Sequence, residues 1–146
     1  MPSHQQNKNA VPALNSKLIL IGEDDLDDQE FLKEIFATVD DSFALVFASN
    51  GPDVLTILES FKDTALPCLI VLDYNMPGSN GAEILKEIKG KSRYDSIPKI
   101  IWSTSGSDTY KDICLQLGAN DYLVKPSNVN DLIEVCRYLL SSCALI

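Results

Sequence analysis

Cys68-Leu69-Ile70-Val71-Leu72-Asp73-Tyr74-Asn75-Met76-Pro77-Gly78 is the stretch whose reading decides the fold. An apolar run leads into a carboxylate, and Pro77-Gly78 then turns the chain. A short unbroken apolar run suits a strand buried on both faces, as in a parallel sheet. Asp73 then stands at the strand's C-terminal end, the edge where open α/β sheets bind ligands.

Three other stretches repeat the pattern. Lys17-Leu18-Ile19-Leu20-Ile21-Gly22 runs into Glu23-Asp24-Asp25, Lys99-Ile100-Ile101-Trp102 into Ser103-Thr104, and Asp121-Tyr122-Leu123-Val124 into Lys125-Pro126. If these strands lie parallel, acids, hydroxyls and one lysine converge on Asp73. That set suits a divalent cation and a phosphoryl group.

Helical spacing fills the intervals. Phe31, Leu32, Ile35, Phe36 and Val39 form one apolar stripe, followed by a further strand from Phe43 to about Ala48. Ser49-Asn50-Gly51-Pro52 offers capping residues and a first-turn proline ahead of Val54, Leu55, Leu58 and Phe61. Asn80-Gly81 leads into Ile84, Leu85 and Ile88, stopped near Gly90, and Gly118 ends a helix carrying Tyr110, Ile113, Cys114 and Leu117. Val129, Leu132, Ile133, Cys136, Leu140 and Cys143 mark the last helix. Five strand–helix units with short connections predict an α/β fold: a parallel sheet with right-handed crossovers and helices on both faces.

The totals agree with one domain. At 146 residues and 45% apolar content the chain can bury a real core. Residues 1–16 are polar without apolar period and are expected to form a flexible tail, leaving 17–146 as the folded unit. No apolar run reaches a membrane span, and no secretory signal opens the chain, so cytoplasmic residence is the default expectation. A net charge of −9, from 12 basic and 21 acidic residues, argues against a nucleic-acid surface. Cys68, Cys114, Cys136 and Cys143 lack C-x-x-C spacing and are expected to be reduced packing residues. His4 lies in the tail, where no ligand or relay role is expected.

Glu23, Asp24 and Asp73 would lie close together, and like charges so placed call for a cation. Oxygen ligands without His or Cys select Mg²⁺, with Mn²⁺ the alternative. A helix N-terminus also attracts acids, which accounts for Asp27 and Asp28. It does not account for acids ending two separate strands. Lys125 could pair with Asp73 and later with an added phosphate, and Ser103 could donate to a phosphoryl oxygen. Asp73 is thus placed as a nucleophile toward phosphorus, forming an aspartyl phosphate.

The ordered set of Glu23-Asp24, Asp73 in Leu-Asp-Tyr-Asn-Met-Pro, Gly81, Ser103, Tyr122 and Lys125-Pro126 resembles the receiver domain of two-component response regulators, over residues 17–142. The resemblance implies a flavodoxin-like doubly wound sheet of strand order 2-1-3-4-5. It implies Asp73 as phosphoacceptor, with Mg²⁺ bound by Asp24, Asp73, the Asn75 carbonyl and, through water, Glu23. It further implies a Lys125 bridge, a cis Lys125-Pro126 bond, and a switch in which Ser103 moves and Tyr122 rotates. The fourth helix, fifth strand and fifth helix would then signal to a protein target. A sensor histidine kinase or phosphotransfer protein would supply the phosphoryl group. Ser103 where Thr is commoner, Thr104 where a small residue is frequent, and Ser127 where an aromatic is common depart from the family pattern. No output domain follows, so a stand-alone regulator is expected, a monomer or weak homodimer, with the apolar end Leu139 to Ile146 read as ordinary helix packing and a dimer contact as the alternative.

Three rivals fit less well. A haloacid-dehalogenase-type phosphatase needs an acid where Asn75 stands. A flavin binder would carry a Ser/Thr/Gly phosphate loop in place of Glu23-Asp24-Asp25. A pseudo-receiver serving only as a protein-binding module would have lost Asp73 or Lys125. No enzymatic activity beyond self-phosphorylation and autodephosphorylation is expected.

Overall fold

The computed structural model describes residues 17–143. Five parallel strands, β1 (Leu18–Gly22), β2 (Ala44–Ala48), β3 (Leu69–Asp73), β4 (Lys99–Ser103) and β5 (Asp121–Val124), pair in the order β2-β1-β3-β4-β5. Between and after them come α1 (Leu26–Val39), α2 (Gly51–Ser60), α3 (Gly81–Lys89), α4 (Asp108–Gln116) and α5 (Val129–Ser142). The tail and His4 lie outside the described residues, as does the end of the stretch considered for dimer contact.

The two-sided burial read from the β3 sequence follows from strand geometry, because successive side chains face opposite ways. Ile70 and Leu72 enter a core with Leu20, Ile101, Val54, Leu58, Ile84, Leu85, Ile88 and Cys114, under α2, α3 and α4. Leu69 and Val71 enter the other core with Ile19, Ile21, Ile100, Trp102, Leu32, Ile35, Phe36, Cys136 and Leu139, under α1 and α5. Every residue of β3 and of β4 is buried. The fold therefore holds Asp73 at the centre of a rim, not at its side.

Local chemistry sets the helix starts. Asp25 caps α1 by accepting from the Asp27 and Asp28 amides, and Asn50 caps α2 through the Asp53 amide. Asn80 and Glu83 form a capping box at α3. Gly118 ends the α4 turn at φ +101°, a conformation that costs side-chain-bearing residues about 1–2 kcal/mol.

Two expectations need correcting. Phe31, Tyr110, Ile113 and Val129 are exposed instead of packed inward. Helical period finds a face but not how much of it the sheet covers, and α4 buries only Cys114. The cysteines are not all reduced: Cys68 and Cys143 are disulfide-bonded, with Cα atoms 4.8 Å apart. The last helix runs back to the rim where β3 begins, which brings two remote cysteines into bonding range. Cys114 and Cys136 are free and buried, as expected.

Among the described residues no helix is long and apolar enough to cross a membrane.

Candidate functional site

The register of the sheet builds the site. Asp73 closes β3 opposite Trp102 of β4, and Ser103 pairs with Val124 of β5. Glu23 directly follows β1, and its amide donates to the Ala48 carbonyl at 2.8 Å. The Lys125 amide continues the ladder by donating to the Ser103 carbonyl at 2.7 Å. Four strand ends thus deliver one acid, another acid, a hydroxyl and an ammonium to the same rim.

One carboxylate oxygen each from Glu23, Asp24 and Asp73 lies within 4.8 Å of the others. Glu23 and Asp73 are buried and Asp24 is exposed, so the cluster meets solvent at Asp24. The Lys125 Nζ donates to Asp73 Oδ2 at 2.7 Å and to Glu23 Oε1 at 2.9 Å. Asp28 Oδ2 stands 3.8 Å from the same ammonium, and the Trp102 ring centre 4.8 Å from it. The Asn75 amide donates to Asp73 Oδ1 at 3.1 Å, and the Asn75 side chain is exposed. The Asp73 carboxylate therefore has both oxygens held.

Burial pushes Glu23 up to about 7, against the lowering pull of its Lys125 hydrogen bond. Lys125 is raised overall: burial works to lower it, and the hydrogen bonds to Asp73 and Glu23 outweigh that. Three carboxylates gathered around one ammonium leave the cluster short of positive charge.

Ser103 is fully buried, and its Oγ accepts from the Ser105 amide at 3.1 Å. Tyr122 is also buried, with its hydroxyl donating to the Ser105 carbonyl at 2.7 Å. Ser105 thus ties the two expected switch residues together. Thr104 and Ser127 are exposed.

The expected cis Lys125-Pro126 bond is absent, since the described residues contain no cis peptide. The trans form, favoured at X-Pro by about 0.5–1 kcal/mol, already lets Lys125 reach both acids.

Two contributors, Gln29 and Trp102, escape a motif reading, and a third, the motif glycine Gly81, has its reason only in the packing. The Gln29 side chain donates to the Glu23 carbonyl at 2.6 Å and to Ser49 Oγ at 3.3 Å, bracing the acid loop. Its one legible signal is a polar residue three before Leu32 on the buried stripe. Trp102 supplies the ring beside the Lys125 ammonium, where strand alternation gave only a buried aromatic. Gly81 lies against the back of the acid: a Cβ there would stand 3.1 Å from the Asp73 carbonyl. Beside the site an open cavity of about 220 Å³ is bordered by Phe31, Trp102, Lys125, Pro126, Val129 and Leu132.

Comparison with known proteins runs the same way. Two-component response regulator ARR6 of Arabidopsis thaliana is 33% identical over 120 residues, taking in 78% of this chain and 64% of that protein. Response regulator Rcp1 of Synechocystis sp. is 30% identical over 124 residues, 83% of this chain and 84% of its own. The phosphorylated cyanobacterial phytochrome response regulator RcpA superposes with TM-score 0.78 at 27% identity, covering 89% of this chain and 98% of that one. The Mn²⁺-bound form of response regulator Rcp1 gives 0.76 at 27% identity, with 88% and 98% covered. Residues 19–137 match the family described as the response regulator receiver domain, with β1 through most of α5 inside the match, and the chain belongs to that two-component signalling family.

Proposed function

We propose that this chain accepts a phosphoryl group on Asp73 from a phosphohistidine of a sensor kinase or phosphotransfer protein. The observation that carries the reading is the Lys125 ammonium bridging Asp73 and Glu23 at the rim's centre, beside the exposed Asp24 carboxylate.

The residues fit a hard divalent cation. Three carboxylates with no His or Cys suit Mg²⁺ or Mn²⁺, and Asp24, Asp73, the Asn75 carbonyl and Glu23 would hold it. Such a cation would neutralise charge on the phosphoryl oxygens.

The rest is the work of the chain. Asp73 attacks phosphorus in line, the phosphorus–nitrogen bond breaks, and its electron pair stays with the departing imidazole. Lys125 exchanges part of its hold on Asp73 for a phosphoryl oxygen, losing no charge pairing on the way. Ser103 turns its hydroxyl to donate to the same group. Because Ser103 and Tyr122 both bond to Ser105, moving one loosens the other. The response then passes to α4, β5 and α5, where Tyr110, Ile113, Val124 and Tyr138 already face solvent and could meet a protein target. This reading places the chain in the cytoplasm beside its kinase. A module that only binds proteins has no use for the intact Asp73–Lys125–Glu23 arrangement.

The deciding experiment is intact-mass measurement after incubation with Mg²⁺ and a phosphorylated histidine donor. One added phosphoryl group is expected in the wild type and none in Asp73→Asn or after chelation. An unmodified wild-type mass across candidate donors would count against the reading.

A further inference from the structure

We propose that Cys68 and Cys143 form a redox-exchange site, fastening and releasing the C-terminal end of α5 in response to a small thiol–disulfide couple of the glutathione class. The pair is disulfide-bonded across 75 residues of sequence, with 4.8 Å between Cα atoms. Cys68 is fully buried and immediately precedes β3, the strand that ends in Asp73. Cys143 is the C-terminal cap of α5 and partly exposed. The bond therefore joins the strand of the acid to a helix whose first turn, at Val129 and Leu132, borders the cavity beside Lys125.

Two features argue for exchange over a permanent staple. Disulfides inside a reducing compartment, which the proposed function implies, are as a rule transient or redox-sensing. Access is also one-sided: an incoming thiolate can reach Cys143 but not Cys68. The remaining cysteines do not compete, because burial raises Cys114 to about 11 and Cys136 to about 12 and keeps them protonated.

The chemistry balances without any further reagent. A small thiolate attacks Cys143 Sγ, the Cys68–Cys143 bond breaks, and Cys68 leaves with the electron pair and takes up a proton. A second thiolate attacks the outer sulfur of the mixed disulfide and releases Cys143, which is protonated in turn. Two small thiols have become one small disulfide, and the protein has gained two thiols. The oxidised couple closes the bond by the reverse path. With the bond open, the apolar contacts of Cys136, Leu139 and Leu140 and the Tyr138 hydroxyl on the Asp121 carboxylate are left to hold that end of α5.

The test equilibrates the full chain in mixtures of reduced and oxidised glutathione, quenches in acid, alkylates after denaturation and weighs the product. Alkylated thiols should rise from two to four across those mixtures. Amide exchange at Leu139 and Leu140 should be at least tenfold faster in the reduced form. Cys143→Ser, at a partly exposed position that tolerates a small polar side chain, should show the fast exchange whatever the mixture. Four thiols in every mixture, two in every mixture, or exchange rates within twofold of each other would each overturn the proposal. These readouts need no phosphoryl transfer, so they stand or fall apart from the reading of Asp73.

Discussion

Two lysines, Lys125 partly buried and Lys99 buried, lie at opposite rims of the same sheet, and their surroundings differ in kind. Lys125, at the C-terminal rim, has its ammonium on two carboxylates at 2.7 and 2.9 Å. Lys99, at the start of β4, is 9% exposed and donates to the Tyr94 carbonyl at 2.6 Å. Burial acts on both, yet Lys125 is raised and Lys99 is lowered, because only Asp95 offers the latter any opposing charge. The difference teaches what burial is for at each end. At one rim a charge is kept charged by partners it can trade; at the other a long side chain fills space and ties down a turn.

The comparison can be broken most decisively by removing each ammonium in turn. Lys125→Met should cost about 3–5 kcal/mol in urea unfolding at pH 8 without divalent ions, since it leaves Glu23 and Asp73 as facing buried acids. Saturating Mg²⁺ should recover part of that loss by stabilising the folded state that binds it. A cost below about 1 kcal/mol would mean the bridge is ornamental. The same variant should still bind Mg²⁺ yet fail to transmit phosphorylation to the Tyr122 ring resonances.

A second measurement sharpens the account of the acid rim. Glu23 is raised to about 7, so its carboxylate is lost to protonation as pH falls through that value. Mg²⁺ affinity should therefore weaken below about pH 7, by up to about tenfold per unit for one competing proton. Emission from Trp102, the chain's single tryptophan, can follow the titration from beside Lys125. A pH-independent dissociation constant between pH 5 and 8 would remove Glu23 from the cation's surroundings.

The smallest effect belongs to the other rim. Lys99→Met should leave stability unchanged or raise it by up to about 1 kcal/mol at neutral pH, the charged form being what burial penalises. The signs then diverge in alkali. A lowered folded value means the Lys99 penalty is full below it and is relieved as pH climbs through it toward the ordinary 10.5. A raised folded value means the Lys125 contribution is full below 10.5 and is lost as pH rises past it. Any gain from Lys99→Met should shrink as pH climbs toward 10.5, whereas the deficit of Lys125→Met should hold until pH passes 10.5. Matching slopes for the two variants would erase the contrast.

How much of this was legible beforehand depends on the range of the interaction concerned. Strand ends at Gly22, Asp73 and Ser103 were readable because an apolar run stops where a polar residue begins. Helix starts at Asn50 and Asn80 were readable because a cap bonds only two or three residues away. α3 and α4 show where that legibility ends. Both are nine residues long with periodic apolar positions, yet α3 buries Ile84, Leu85 and Ile88 while α4 buries Cys114 alone. Gln29 bracing Glu23, and the trans Lys125-Pro126 bond, likewise turn on neighbours that local sequence does not name.

Sequence alone determined the alternation of strands and helices, the two-sided burial of β3, and the inventory of acids, hydroxyl and ammonium ending the strands. Those follow from side-chain period and capping, which act within a few residues. Only the tertiary structure decided that Lys125 touches Glu23 as well as Asp73, that Trp102 lies under its ammonium, and that Cys68 finds Cys143. Each of those joins segments brought together by the whole sheet, and no spacing along the chain encodes the angle at which they meet.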